Sequence, residues 1–374
     1  MRFLNFYIFS KTIKNHFIFY PTSINSSYFY SFGFLLGICL SFQLITGFIL
    51  SWYYYSSVDL AFYSIEKFMR NFKYGWVIRY VHSNGASFFF IFMYLHILKG
   101  LFYKSYYKKL LWITGLIILI LLMLTSFCGY ILPWGQMSYW ACVVITNMVT
   151  VFPVFGKYLL HGIWGGPNIT EITLMRIYSV HFILPFVLAC LALIHISILH
   201  VEGSSNPTGI ENFDNICFLP YFYVKDLFSF IFIFLFLYIY FIFFNPNYMG
   251  ETLNYIQADY IKTPLHIVPE WYFLFVYGIL RCIPSKTYGI ILGFGAIFIF
   301  FSLILLPLSK IPARFDLYHK LTVIFFISSF FNLSCLATFH MTYFTILCSQ
   351  IWTFLYYFFF YINYVKFSFR SYFV

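Results

Sequence analysis

The sequence predicts an all-α integral membrane protein of eight transmembrane helices, the first four of which form a bundle. Two observations carry this. Of 374 residues, 62% are hydrophobic and 9% charged, with a mean hydropathy of +0.84, so polar side chains are too few to cover a water-facing shell. Apolar runs long enough to cross roughly 30 Å of hydrocarbon recur eight times and leave little chain for a soluble domain.

The runs fall at residues 31–54 (span A), 77–103 (B), 110–133 (C), 174–202 (D), 224–245 (E), 287–308 (F), 317–340 (G) and 345–365 (H). Each is expected to be helical, because lipid offers no partner to an open backbone group. Spans A to D (residues 1–210) make the bundle, and residues 211–374 hold spans E to H. Two connections are long: 134–173, with Gly135, Pro153 and Gly165-Gly166-Pro167, and 246–286, with Pro246, Pro264, Pro269 and Pro284. Both follow odd-numbered spans, read as loops, and lie on one side. Lys and Arg number 13 on the side of the termini and 9 on the other, which places both termini on the matrix or cytoplasmic side and the long loops outside.

Other classes are excluded by the same composition. The formal charge of +11 comes from basic residues set singly in loops, so no nucleic-acid surface is expected. Eight cysteines are scattered singly without a C-x-x-C or C-x-x-C-H motif; covalent haem attachment and a redox dithiol are not encoded, and buried, inert thiols are expected. The N-terminus lacks the pattern of a cleaved signal or transit sequence. Fifty-four Phe and 35 Tyr exceed packing needs and suit an AT-rich coding sequence, as in organelle genomes.

Span B carries His82 and His96 and span D carries His181 and His195, each pair 14 residues apart. Fourteen helical steps return to within about 40° of one face, roughly 21 Å along the axis. B and D run in the same direction, so His82 is expected opposite His181 near the outer side and His96 opposite His195 near the inner side. Spans A and C repeat the interval of 14 with Gly33 and Gly47, and Gly115 and Gly129. One intramembrane His is as often polar glue as a ligand; two matched pairs beside matched glycines suggest a flat macrocycle at each level. Imidazoles without Cys or carboxylates suit an iron that brings four nitrogens of its own, which points to two non-covalent haem b groups serving electron transfer. Arg79 and Lys99 could meet haem propionates; snorkelling explains Lys99 equally well.

The stretches YGWVIRYVHSNGAS (74–87), GYILPWGQMSYW (129–140), HFILPF (181–186), SNPTGI (205–210) and PEWYFLF (269–275) make the chain similar to the cytochrome b family of quinol–cytochrome c reductases over about residues 30–340. Because the chain continues through spans E to H, it resembles the mitochondrial and bacterial form rather than the split photosynthetic one. The resemblance implies an outer quinol site from residues matching Gly135 to Thr146, from Pro269, Glu270, Trp271 and Tyr272, and from Tyr277. A carboxylate beside an apolar quinol pocket would have a raised pKa and could accept a proton, as expected of Glu270; apart from the motif it reads as a loop carboxylate in a salt bridge. The resemblance also implies an inner quinone site from His200, Ser204, Lys225 and Asp226.

Ala141 stands where the family commonly has Gly, and its methyl is expected to project toward the outer pocket. Lys99 replaces a usual Arg, Leu219 a frequent His, and Phe29-Tyr30 the common tryptophans. The implied function is bifurcated oxidation of ubiquinol, one electron leaving to an iron-sulfur protein and one crossing both haems, with a c-type cytochrome subunit as a further partner. A dimeric complex in the mitochondrial inner membrane, or alternatively a bacterial plasma membrane, is implied as well. The competing readings, a secondary transporter or another dihaem membrane anchor, would need broken helices or lack the PEWY loop.

Overall fold

The computed structural model describes residues 11, 14–209, 214–306, 309 and 311–371. Among the described residues, eight helices are long and apolar enough to span a membrane: Tyr28–Ser51, Gly75–Phe102, Lys109–Ile131, Glu171–Glu202, Tyr221–Phe244, Lys286–Leu305, Leu317–Thr338 and Tyr343–Val365. They correspond in order to spans A to H, with ends displaced by a few residues. Ile210, at the expected division between the two regions, and residues 307–308 of span F lie outside the described residues, as do Arg2 and Lys310 and the side chains of Lys366 and Arg370 from the charge count.

The two long connections are not loops throughout. The first holds helices α1 (Gln136–Thr146) and α2 (Gly156–Trp164), and the second holds α3 (Leu274–Cys282). Prolines and glycines punctuate these segments but sit between the helices, and helices of 9–11 residues are too short to register as spans. Short strands β1 (Pro21–Ser23) and β2 (Asn215–Cys217) pair antiparallel, joining the N-terminal segment to the D–E connection.

Spans A and B pack together, as do C and D. Half of span B's most apolar stretch is buried, against 6% for span D, so B is the axis of the molecule and D lies at its flank. The cysteine expectation holds in part. Cys39, Cys128, Cys142 and Cys282 are buried, but Cys190, Cys217 and Cys335 are exposed, Cys190 because it lies on this flanking helix. The two regions are tied on the side of the termini by a buried ion pair, Lys104 Nζ to Asp316 Oδ2 at 2.8 Å, with Lys104 also donating to Ser309 Oγ and the Ile311 carbonyl. Its donors and acceptors are thus matched inside a low-dielectric setting, as a buried pair requires.

Candidate functional site

The four histidines face each other in two pairs. Ring centroids are 6.2 Å apart for His82 and His181 and 6.4 Å apart for His96 and His195, which is the pairing the helix directions dictate. Each of the four glycines lies against one imidazole. A Cβ on Gly129 would fall 2.5 Å from His181 Cε1, on Gly47 2.9 Å from His82 Cε1, on Gly115 3.2 Å from His195 Cε1, and on Gly33 3.6 Å from His96 Cε1. At the first two positions any side chain would displace the ring, so the glycines make room for histidines as they stand.

Hydrogen bonds assign the tautomers. Thr46 Oγ1 donates to the Phe42 carbonyl at 2.5 Å, which leaves its lone pairs to accept from His82 Nδ1 at 3.0 Å. Thr114 does the same, bonding the Leu110 and Leu111 carbonyls and meeting His195 Nδ1 at 2.9 Å. His181 Nδ1 donates to the Thr125 carbonyl at 2.8 Å. In all three rings the proton is on Nδ1 and the Nε2 lone pair is free to bind. These threonines were not singled out in the sequence, although the Thr-Gly dipeptide at 46–47 and 114–115 repeats visibly.

The outer pair opens into a cavity of about 180 Å³ lined by Arg79, His82, Gly129, Tyr130, His181, Glu251, Glu270 and Tyr272. An adjoining cavity of about 100 Å³ shares Arg79 and both histidines. The PEWY segment reaches this site through span B: Tyr272 stacks on Phe90 with centroids 4.0 Å apart, Tyr94 donates to the Tyr272 carbonyl at 2.5 Å, and Trp271 Nε1 donates to Ser87 Oγ at 3.1 Å. Residues 74–87 and 269–275, far apart in sequence, thus touch. Burial, and secondarily the neighbouring Glu251, push the Glu270 carboxyl up to about 7. The Tyr130 hydroxyl in the same wall is buried without a partner among the described residues.

Not every expected outer residue reaches this cavity. Pro269, Trp271 and Tyr277 are not part of its lining; Tyr277 instead packs under Arg281, whose Cζ is 5.4 Å from its ring. Ala141 is 6% exposed and lies within helix α1, also away from that lining. The segment expected as a loop is thus a short helix, and Ala141 is buried within it.

On the inner side, Tyr20 lies against His200 with ring centroids 4.5 Å apart and donates to the Leu199 carbonyl. Burial raises the Tyr20 hydroxyl above its ordinary value, opposed by hydrogen bonding with Ser204. Lys225 Nζ donates to the Ser26 carbonyl at 2.8 Å, and Asp226 hydrogen-bonds the Ser31 side chain. The hydroxyls of Thr22, Ser26 and Ser27 are buried with no partner among the described residues. His200, Ser204, Lys225 and Asp226 are thus all tied to residues 20–31, of which sequence reasoning assigned none to the inner site. Lys99 Nζ sits 3.7 Å above the Tyr30 ring, so Tyr30 supplies a cation–π face.

An eight-span bundle with two stacked pairs of facing imidazoles, one opening beside the Glu270 carboxyl, defines a polytopic membrane protein with two internal histidine-paired levels. The family model described as Cytochrome b/b6/petB matches residues 17–203, and that of Cytochrome b(C-terminal)/b6/petD matches residues 257–358. The chain belongs to the cytochrome b family. Cytochrome b of Dictyostelium citrinum is 48% identical over 266 residues, covering 70% of this chain and 68% of that protein. Cytochrome b of Rickettsia bellii, a bacterium, is 48% identical over 264 residues, covering 69% and 66%. A chain of the solved structure "Hyperthermophilic respiratory Complex III" superposes with a TM-score of 0.90 at 30% identity, over 96% of this chain and 97% of that one.

Proposed function

We propose that this chain is the dihaem subunit of a quinol–cytochrome c reductase, oxidising ubiquinol at the outer cavity and reducing quinone at the inner cluster, with coupled proton translocation. The observation that carries the reading is the set of two facing histidine pairs, each ring seated against a glycine. The facing rings, with centroids 6.2 and 6.4 Å apart, would hold a metal ion between two imidazole nitrogens. Two donors per level, rather than a cluster of three or four, suit an iron that carries its own ring of nitrogens. Haem b bound there would supply two one-electron carriers stacked across the membrane.

The protein's own groups do the rest. Arg79, lining both outer cavities, is placed to hold a carboxylate, and Lys99 on Tyr30 to serve the inner side. Glu270, at about 7, accepts a proton from a quinol hydroxyl; Tyr130 offers that oxygen a hydrogen bond. At the inner site His200 and Asp226 hydrogen-bond quinone oxygens and deliver protons, while Lys225, Ser204 and the serines of the 20–31 segment hold the ring. An iron-sulfur protein and a c-type cytochrome, neither encoded by this chain, take the outgoing electron in a dimeric complex. The excess of Lys and Arg on the side of the termini supports an orientation with that side in the matrix of a mitochondrion, or in the cytoplasm of a bacterium.

A reduced-minus-oxidised spectrum with redox titration of the purified complex tests this. Two low-spin b haems of different potential are expected, since each charge crossing the bilayer works against about 2.3 kcal/mol per 100 mV. A single haem, or none, overturns the reading. The glycines give a graded test. Gly129→Ala is expected to lose the outer haem, because overpacking costs about 1–3 kcal/mol and His181 cannot retreat without breaking its bond to the Thr125 carbonyl. Gly33→Ala, at ordinary contact distance from His96, is expected to retain both haems. Equal haem content in the two variants, by pyridine haemochrome assay, would separate the glycines from the histidine seats.

A further inference from the structure

We infer that Thr46 and Thr114 are positioning residues that lock His82 and His195 with Nε2 presented and thereby set the reduction potentials of the two sites, an inference that rests on the haem-ligand reading above. A threonine in a membrane helix ordinarily bonds its hydroxyl back to a carbonyl one turn earlier. Thr125 does only this with its side chain, donating to the Leu121 carbonyl at 2.7 Å. Thr46 and Thr114 also make that bond, but in addition accept from an imidazole on another helix, at 3.0 Å and 2.9 Å. With the hydroxyl proton committed to the backbone, the oxygen can only accept from Nδ1. The opposite tautomer would place two lone pairs face to face.

The arrangement occurs once at each level, and both times the threonine immediately precedes the glycine against which the same ring is seated: Gly47 for His82 and Gly115 for His195. Glycine gives the ring room; threonine fixes its rotation and protonation. At the outer level the partner ring, His181, is held by a backbone carbonyl, which no side-chain change removes. At the inner level His96 has no Nδ1 partner among the described residues, so Thr114 supplies the single anchor of that pair. An acceptor on Nδ1–H raises the basicity of the opposite nitrogen, and a more basic ligand favours the oxidised metal. Losing the acceptor should raise the potential, most at the inner site.

The test is redox titration, with low-spin EPR g values, of purified complex carrying Thr46→Val, Thr114→Val, or the matching serine variants. Thr46→Val is expected to raise the outer potential alone and Thr114→Val the inner potential alone. A tenfold change in the ferric-to-ferrous preference corresponds to about 59 mV. Serine, which keeps the acceptor, should restore the native values. Where a valine variant loses its haem, the serine variant decides: haem retained at native potential supports the inference, and haem lost overturns it. Unchanged potentials and g values with both haems bound overturn it while leaving the ligand assignment standing. Absence of two b haems from the unmodified complex would remove the ligand reading itself, and this inference with it.

Discussion

Under the proposed function, replacing His82 or His181 is expected to abolish the outer haem and leave the inner one, and replacing His96 or His195 to do the reverse. The paired sites are built separately. Each has its own facing rings, its own glycine seats and its own Nδ1 anchors, roughly 21 Å apart along span B. Span B is also fixed independently of any cofactor, through Gln43 Nε2 to the His82 carbonyl at 3.0 Å and the stack of Phe90 on Tyr272. One substitution should therefore halve the b-haem content of the purified complex without unfolding the bundle. Both haems intact in any one of the four variants would refute that assignment.

Glu270→Gln is expected to slow quinol oxidation by about two orders of magnitude, the lower end of the 10²–10⁴-fold that a placed general base contributes, with both haems retained. The sign of the pH dependence follows from the carboxyl's position. Held at about 7, Glu270 keeps its proton below that pH and can accept one above it, so the native rate should rise with pH through that region. Glutamine cannot titrate, so this rise should vanish. Stopped-flow reduction of the outer haem across pH 5.5–8.5 measures both effects; a variant that kept the native rate and slope would make Glu270 a structural carboxyl only.

The span count and the histidine pairing were legible in the sequence because each rests on a periodicity that lipid enforces. Closed backbone bonding sets span length, and the interval of 14 sets depth. Even the relation of Gly47 to His82 and Gly129 to His181 follows from antiparallel neighbours. What escaped depended on contacts between distant segments. Helices α1, α2 and α3 were hidden by the prolines and glycines that bound them. Glu251 and Tyr130 enter the outer cavity through tertiary packing alone, and Tyr20 reaches His200 through a strand pair of three residues each. The helix around Ala141 escaped for the same reason, since a motif gives a neighbourhood without its backbone conformation.

Span D bears one histidine of each pair, yet it is the least enclosed of the eight spans. It packs along span C and meets span B through its imidazoles. Under the proposed function, the prosthetic groups are then part of the scaffold, joining D to B as a rung joins two rails. Binding that occurs only in the assembled state adds its full free energy to that state, so haem supply should govern survival of the newly inserted chain. In haem-starved membranes span D should be the first segment open to proteases, and addition of haem should close it before any electron is carried.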